Sequence, residues 1–232
     1  MKKNWKQKKR NNLGLILCIE TATTNCSVAL GRDGEVVTLK EDYSDNYSHA
    51  ERLHLFIDEV LKENNCAPAQ LSAVAVSKGP GSYTGLRIGV SAAKGLCFSL
   101  DVPLISIPTL SSLAWQVEAE KGQCIIPLLD ARRMEVYTAG FSAGKEQLFD
   151  TRAEILTPES FREYLDQGKV SFIGNGVNKF QEICTHENAK FISGKLPSAG
   201  EMVMLAEQKF QKGDFEDVAY FEPYYLKDFQ AG

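Results

Sequence analysis

Twice in this chain an apolar run ends on an acid and is followed by a hairpin and then by helices. Leu15–Glu20 (LILCIE) opens the first occurrence and Cys124 to Asp130 (CIIPLLD) the second. Each run reads as an apolar strand. After the first run, Ser27–Leu30 and Val36–Leu39 flank Gly31-Arg32-Asp33-Gly34, and Asp-Gly is a strong tight-turn signal. After the second, Met134–Phe141 pairs back on Cys124–Leu129, and a turn at Gly144 leads to Glu146–Phe149. No residue-level repeat accompanies the parallel; it is one of architecture.

Helices follow in both halves. Ser48-His49-Ala50-Glu51 fits a capping box, and the helix it starts carries Leu53, Phe56, Ile57, Val60 and Leu61 on one face. Leu71–Ser77 reads as a buried strand. Next come the glycine turn Gly79-Pro80-Gly81-Ser82-Tyr83-Thr84-Gly85, a long helix to about Leu100, a strand at Val102–Ile107, and a helix from Pro108-Thr109. In the second half helices are expected at Pro158–Asp166 and Ala199–Lys212, with a strand at Val170–Ile173 between them. The expected fold class is α/β with mixed sheets flanked by helices. Residues 1–12 form a basic, disordered leader, 13–107 a first domain and 108–232 a second, with a C-terminal tail that can pack back on the first. Lys121–Gln123 is another possible boundary.

At 232 residues, with 44% hydrophobic and 24% charged side chains, the chain is long enough to bury two cores. No apolar run approaches the roughly 20 residues needed to cross a bilayer, and Met1 to Asn12 lacks the apolar stretch of a secretory signal. The six cysteines form no C-x-x-C pair and several sit in apolar runs, the usage of a reducing, cytoplasmic compartment. Lys2, Lys3, Lys6, Lys8, Lys9 and Arg10 supply six positive charges, so without them the net charge of −4 becomes −10. So acidic a body is a poor stand-alone binder of nucleic acid. The leader is either a solvated tail or a contact for RNA.

The Gly79–Gly85 turn frees the backbone to bend sharply and admit a close neighbour. Opening a helix, it can also present N–H groups to a phosphate, through Gly79, Gly81, Ser82 and Gly85. It has no Gly-Lys-Ser/Thr ending, and spacing alone favours a tight turn without ligand. The helix behind it is apolar on more than one side. Leu86, Val90, Ala93, Cys97 and Leu100 make one stripe, Ile88, Ala92 and Leu96 lie off it, and Gly85, Gly89 and Ala93 recur every fourth residue. Either its own fold covers every side, or one face meets the sheet and another meets a second chain. The three histidines, His49, His54 and His186, show no H-x-x-x-H spacing, so no metal site is expected. Glu20 and Asp130, each at a strand end, can hold Mg²⁺ or act as a base, or merely satisfy turn N–H groups.

The segments ILCIETAT, SVAL, SHAERL, SKGPGSYTGLRIGVSAAKGL, IPTLSSLA, DARRMEVY and EPYYLKDF together resemble the bacterial TsaB (YeaZ) family, over nearly all of residues 14–229. The resemblance implies a duplicated actin-like, RNase H-like fold. It also implies a non-catalytic role beside the paralogue TsaD, which carries the active site and its metal, and the ATPase TsaE. Their assembly moves threonylcarbamoyl from threonylcarbamoyl-adenylate to N6 of adenosine 37 in tRNAs that read codons beginning with A. The two long helices would form the partner interface, through His49, Leu53, Phe56 and Ile57 on the first. On the second the residues are Leu86, Arg87, Gly89, Val90, Ala93, Lys94 and Cys97. Alone, the chain would form a homodimer through that surface, and tRNA would be met only through the complex. The superfamily's Asp-x-Gly is Glu20-Thr21-Ala22 here, a turn poorly shaped to wrap a triphosphate, which leaves at most a weak nucleotide contact at the partner interface. The rival readings are a stand-alone actin-fold ATPase and a homodimeric RNA binder acting through its leader.

Overall fold

The computed structural model describes residues 14–43 and 49–227. Ser48, the expected cap of the first helix, and the leader lie outside the described residues. The chain divides into two units, one of residues 14–108 with Ser198–Tyr225, the other of Thr109–Pro197 with the residues from Leu226.

In the first unit, β1 (Leu15–Glu20), β2 (Cys26–Arg32), β3 (Glu35–Asp42), β4 (Ala73–Gly79) and β5 (Leu104–Pro108) form one sheet in the order β3-β2-β1-β4-β5. β1 runs antiparallel to β2 and parallel to β4. The β2–β3 turn has Asp33 at φ 53° and Gly34 at φ 85°, the left-handed pair that matches strand twist in a two-residue hairpin. One face of the sheet carries large side chains, Leu17, Ile19, Leu30, Val74 and Val76, under α1 (His49–Glu63) and α2 (Tyr83–Leu100). The other face carries Ile16, Cys18, Ile105 and Ile107 with the smaller Ala29, Ala73 and Ala75, under α6 (Ala199–Lys212). Both faces are covered, so β1 has no alternation: all six of its residues are buried.

In the second unit, β6 (Cys124–Asp130), β7 (Glu135–Ser142), β8 (Gln147–Ile155), β9 (Val170–Ile173) and β10 (Ala189–Ile192) lie in the order β10-β9-β6-β7-β8. Read from the central strand, this is the order and the strand sense of the first sheet, so the duplicated RNase H-like, actin-like architecture is present in both units. α3 (Thr109–Trp115) covers one face with Leu110 and Leu113. α4 (Arg162–Leu165) and α5 (Val177–Gln181) cover the other, around Phe161, Phe172 and Phe180.

The structure revises several expected elements. The helix expected at Pro158–Asp166 is only α4, because Phe161 at its start sits at φ 60° and helical geometry begins after it. β8 runs to Ile155, well past Phe149. Most of all, 108–232 is not one block: α6, at Ala199–Lys212, serves the first sheet. Its Ala199 N–H donates to Ser27 Oγ at 2.9 Å, and Val203 lies against Gly31. Without α6 the apolar face made by Ile16, Cys18 and Ile105 would be in water.

A Cβ on Gly31 would overlap the Val203 side chain. Gly31→Ala is therefore expected to destabilise the chain by about 1–3 kcal/mol. Adding Val203→Ala should recover part of that loss, because the two sites share one contact. Urea denaturation of both singles and the double variant measures the coupling; strictly additive effects would refute this account of the packing.

Candidate functional site

At the carboxyl end of the first sheet, the turn after β1 lies beneath the start of α2. Thr21 Oγ1 donates to the Gly85 carbonyl at 2.8 Å. Ser82 N–H donates to the Ala22 carbonyl at 2.7 Å, and Ser82 Oγ caps α2 by accepting from Gly85 N–H at 3.3 Å. A Cβ on Gly81 would overlap Ala22, and one on Gly85 or Gly89 would overlap Thr21. Gly79, at φ 109°, faces the Tyr224 carbonyl in the same way. The close approach that these glycines permit is therefore taken by the chain's own backbone. Of the residues expected to receive a phosphate, Gly79, Gly81 and Gly85 have no room for a Cβ and Ser82 Oγ caps the helix. His49 belongs to the same knot: its Nε2 meets the Thr23 carbonyl at 2.7 Å, and burial lowers its pKa.

Glu20 ends β1 with no exposed surface. Its Oε1 accepts the Ala22 N–H at 2.6 Å. Burial pushes its pKa from 4.5 to about 7, against the pull of the Ala22, Ser77 and Thr21 hydrogen bonds; the charge of Glu201 raises it a little further. Asp130 ends β6 with the same local contact, accepting Arg132 N–H at 2.6 Å. It is exposed, however, and paired with Lys179 at 2.9 Å. Both acids thus serve their turns. Among the described residues no three His, Cys, Asp or Glu side chains are grouped to hold a metal ion, and no helix is long and apolar enough to cross a membrane.

The two long helices have an inner and an outer face, and the expected interface residues fall mostly on the inner one. His49, Leu53, Phe56 and Ile57 of α1 are buried, as are Leu86, Gly89, Val90, Ala93 and Cys97 of α2. These nine cannot be a contact surface, because they already pack on the sheet and on the turn after β1. Lys94 is also engaged, donating to the carbonyls of Ala219 at 3.2 Å and Phe221 at 2.9 Å and so fastening the segment after α6 along α2. Only Arg87 is exposed, stacked 4.4 Å over the Tyr83 ring.

The outward face holds residues that stripe counting passed over. Phe98 is 85% exposed and Leu55 is 54% exposed. On α2, Thr84, Ser91 and Gly95 are in the open, while Ile88, Ala92 and Leu96 are half-buried on its flanks, packed against the core. The available signal was the second apolar set, Ile88, Ala92 and Leu96, lying off the core stripe.

Relatives of known kind share this chain's length and order. Residues 45–232 match the family model "TsaD: tRNA N6-adenosine threonylcarbamoyltransferase". The "tRNA threonylcarbamoyladenosine biosynthesis protein TsaB" of Escherichia coli K12 is 31% identical over 92% of this chain and 94% of its own. The protein of that name from Haemophilus influenzae is 29% identical over 92% and 93%. The chain belongs to the TsaB (YeaZ) family. The solved structure "YeaZ from Pseudomonas aeruginosa" superposes with a TM-score of 0.79 at 27% identity, covering 92% of this chain and all of that one. The GPGSYTGLRIG segment that marks the TsaB resemblance is thus, in this chain, the packing of a helix start onto the turn after β1.

The raised pKa of Glu20 makes stability depend on pH. The folded chain holds the proton more tightly than the unfolded one, so between about pH 4.5 and 7 the unfolded state binds fewer protons and stability falls as pH rises. The loss from this group is on the order of 3 kcal/mol, complete above pH 7. The lowered pKa of His49 acts in the opposite sense in both chains, so over steps from pH 5 to 8 the urea midpoint of the natural chain should decline relative to that of Glu20→Gln. Equal slopes would mean that Glu20 is ionised throughout.

Proposed function

We propose that the chain is a supporting subunit, with no active site of its own, of the assembly that places threonylcarbamoyl on N6 of adenosine 37 in tRNAs reading codons that begin with A. The observation that carries this is end-to-end alignment with a protein named for tRNA threonylcarbamoyladenosine biosynthesis, TsaB of Escherichia coli, at 31% identity. In this reading the paralogue TsaD performs the transfer, the ATPase TsaE completes the assembly, and tRNA is engaged in the cytoplasm through the whole. Alone, the chain pairs with a second copy through the surface that TsaD otherwise covers.

That surface is the outward face of α1 and α2, not the inner one. A phenylalanine left 85% exposed on a well-formed helix forfeits most of the benefit of burying its ring, roughly 2–3 kcal/mol. Beside it the small residues Ser91 and Gly95 let another helix come close, with Leu55, Ile88 and Ala92 adding apolar area. A stand-alone actin-fold ATPase is less favoured. The turn that would wrap a triphosphate has Thr21 and Ala22 wedged against Gly81, Gly85 and Gly89, and its acid is buried and drawn toward its neutral form.

Phe98→Asp and Gly95→Arg should each leave the melting temperature within a degree or two, as surface changes do. They should abolish co-purification with the TsaD paralogue and the formation of threonylcarbamoyladenosine in the reconstituted system. Val90→Glu should instead unfold the chain, since it buries an unpaired charge. If both surface variants bind and support modification normally, the interface lies elsewhere. ATP turnover by the chain alone that drops in Glu20→Ala would overturn the supporting role.

A further inference from the structure

The hairpin turn that follows β6 is built unlike the one after β1. Ala131 N–H donates to the Glu135 carbonyl and Glu135 N–H to the Arg132 carbonyl, both at 3.0 Å. Inside that closure Arg132 sits at φ 71° and Arg133 at φ 46°. Two successive side-chain-bearing residues in the left-handed region are an unfavourable choice that glycine would relieve. Both arginines are exposed. The acids that bound the turn are already neutralised, Asp130 by Lys179 at 2.9 Å and Glu135 by Lys227. Neither arginine has an ion-pair partner among the described residues. Two uncompensated guanidinium groups therefore stand side by side on a chain of net charge −4. The corresponding turn of the first unit is buried under an 18-residue helix, whereas the helix after β9 has five residues and leaves this turn open.

We propose that the Arg132–Arg133 turn binds the phosphodiester backbone of RNA. A guanidinium fork matches the oxygens of a phosphate, and strain retained at an exposed position points to a contact made outside the chain. An acidic protein partner fits less well, because protein interfaces have an apolar centre and this turn offers only the partly exposed Met134. The contact is local, one or two phosphates, since the rest of the body is acidic. That the RNA is the assembly's tRNA rests on the function proposed above; the anion site does not.

The test uses the full chain assembled with its TsaD paralogue and TsaE, and measures tRNA affinity from about 50 to 200 mM salt. Arg132→Gln/Arg133→Gln should bind about ten-fold more weakly at the low-salt end, with a slope of log affinity against log salt smaller by about 1 to 2. Arg132→Gly/Arg133→Gly should show the same loss with an unchanged or higher melting temperature. Unchanged affinity and slope would overturn the proposal. So would a lower melting temperature in the glycine pair, which would make the arginines structural, or failure of the glutamine pair to assemble, which would make the turn a protein-docking site. An assembly that binds tRNA but forms no threonylcarbamoyladenosine would defeat the proposed function while the salt slope still decides the role of the turn.

Discussion

The contact of Thr21 and Ala22, backbone and side chain, with the glycines at 81, 85 and 89 leaves no room for a further side chain, and the rest of the first unit is arranged by it. It joins the end of β1 to the start of α2, so the direction of the longest helix is set by the central strand. With α2 held there, Ser82 can cap it, His49 can close over the Thr23 carbonyl, and Leu86, Val90 and Ala93 face the sheet. The helix then has one side left over, and that side carries Phe98. The outward surface thus follows from the inward packing.

The same contact explains why the glycine turn was only half legible. Three glycines at a helix start signal a close approach, and the signal was sound. What approaches is not in the sequence pattern, because Thr21 and Ala22 lie some sixty residues away along the chain and their carbonyls have no spacing signature. A phosphate and a backbone carbonyl would leave the same mark on the residues that receive them. Strand β1 was legible to the residue at Leu15–Glu20, because an apolar run of that length reads as a buried strand, and so was β9 at Val170–Ile173, where Ser171 is buried with its apolar neighbours. α5 and β10, five and four residues long, are too short for any periodicity to show.

The 4-3-4-3 stripe of α2 is the face it turns to its own sheet. A regular 4-3-4-3 stripe is the mark of whichever partner is apolar and permanent, and in a sheet protein that partner is the sheet. The off-stripe residues are the ones left open or half-buried. They form a looser set, Ile88, Ala92 and Leu96, with small residues and one exposed ring. α6 taught the reverse lesson: its bounds were evident, from the Ser198 cap to Gly213 at φ 71°. Its sheet was not, since small residues such as Ala29 and Gly31 do not announce which helix they admit.

Duplication gives both units one sheet order, and the differences between them lie in the helix that follows the fourth strand. Where that helix is long, the turn after the central strand is roofed over. Its acid is then desolvated and shifted toward the neutral form, and polar groups of the turn are consumed internally. Where it is short, the equivalent acid stays in water and keeps a lysine partner, and the turn beyond it is free to carry charge outward. One local rule, an acid at a strand end accepting the N–H two residues on, is kept in both places at 2.6 Å. The same motif therefore yields a packed joint in one unit, where glycines let the helix start close on the turn, and an exposed basic turn in the other.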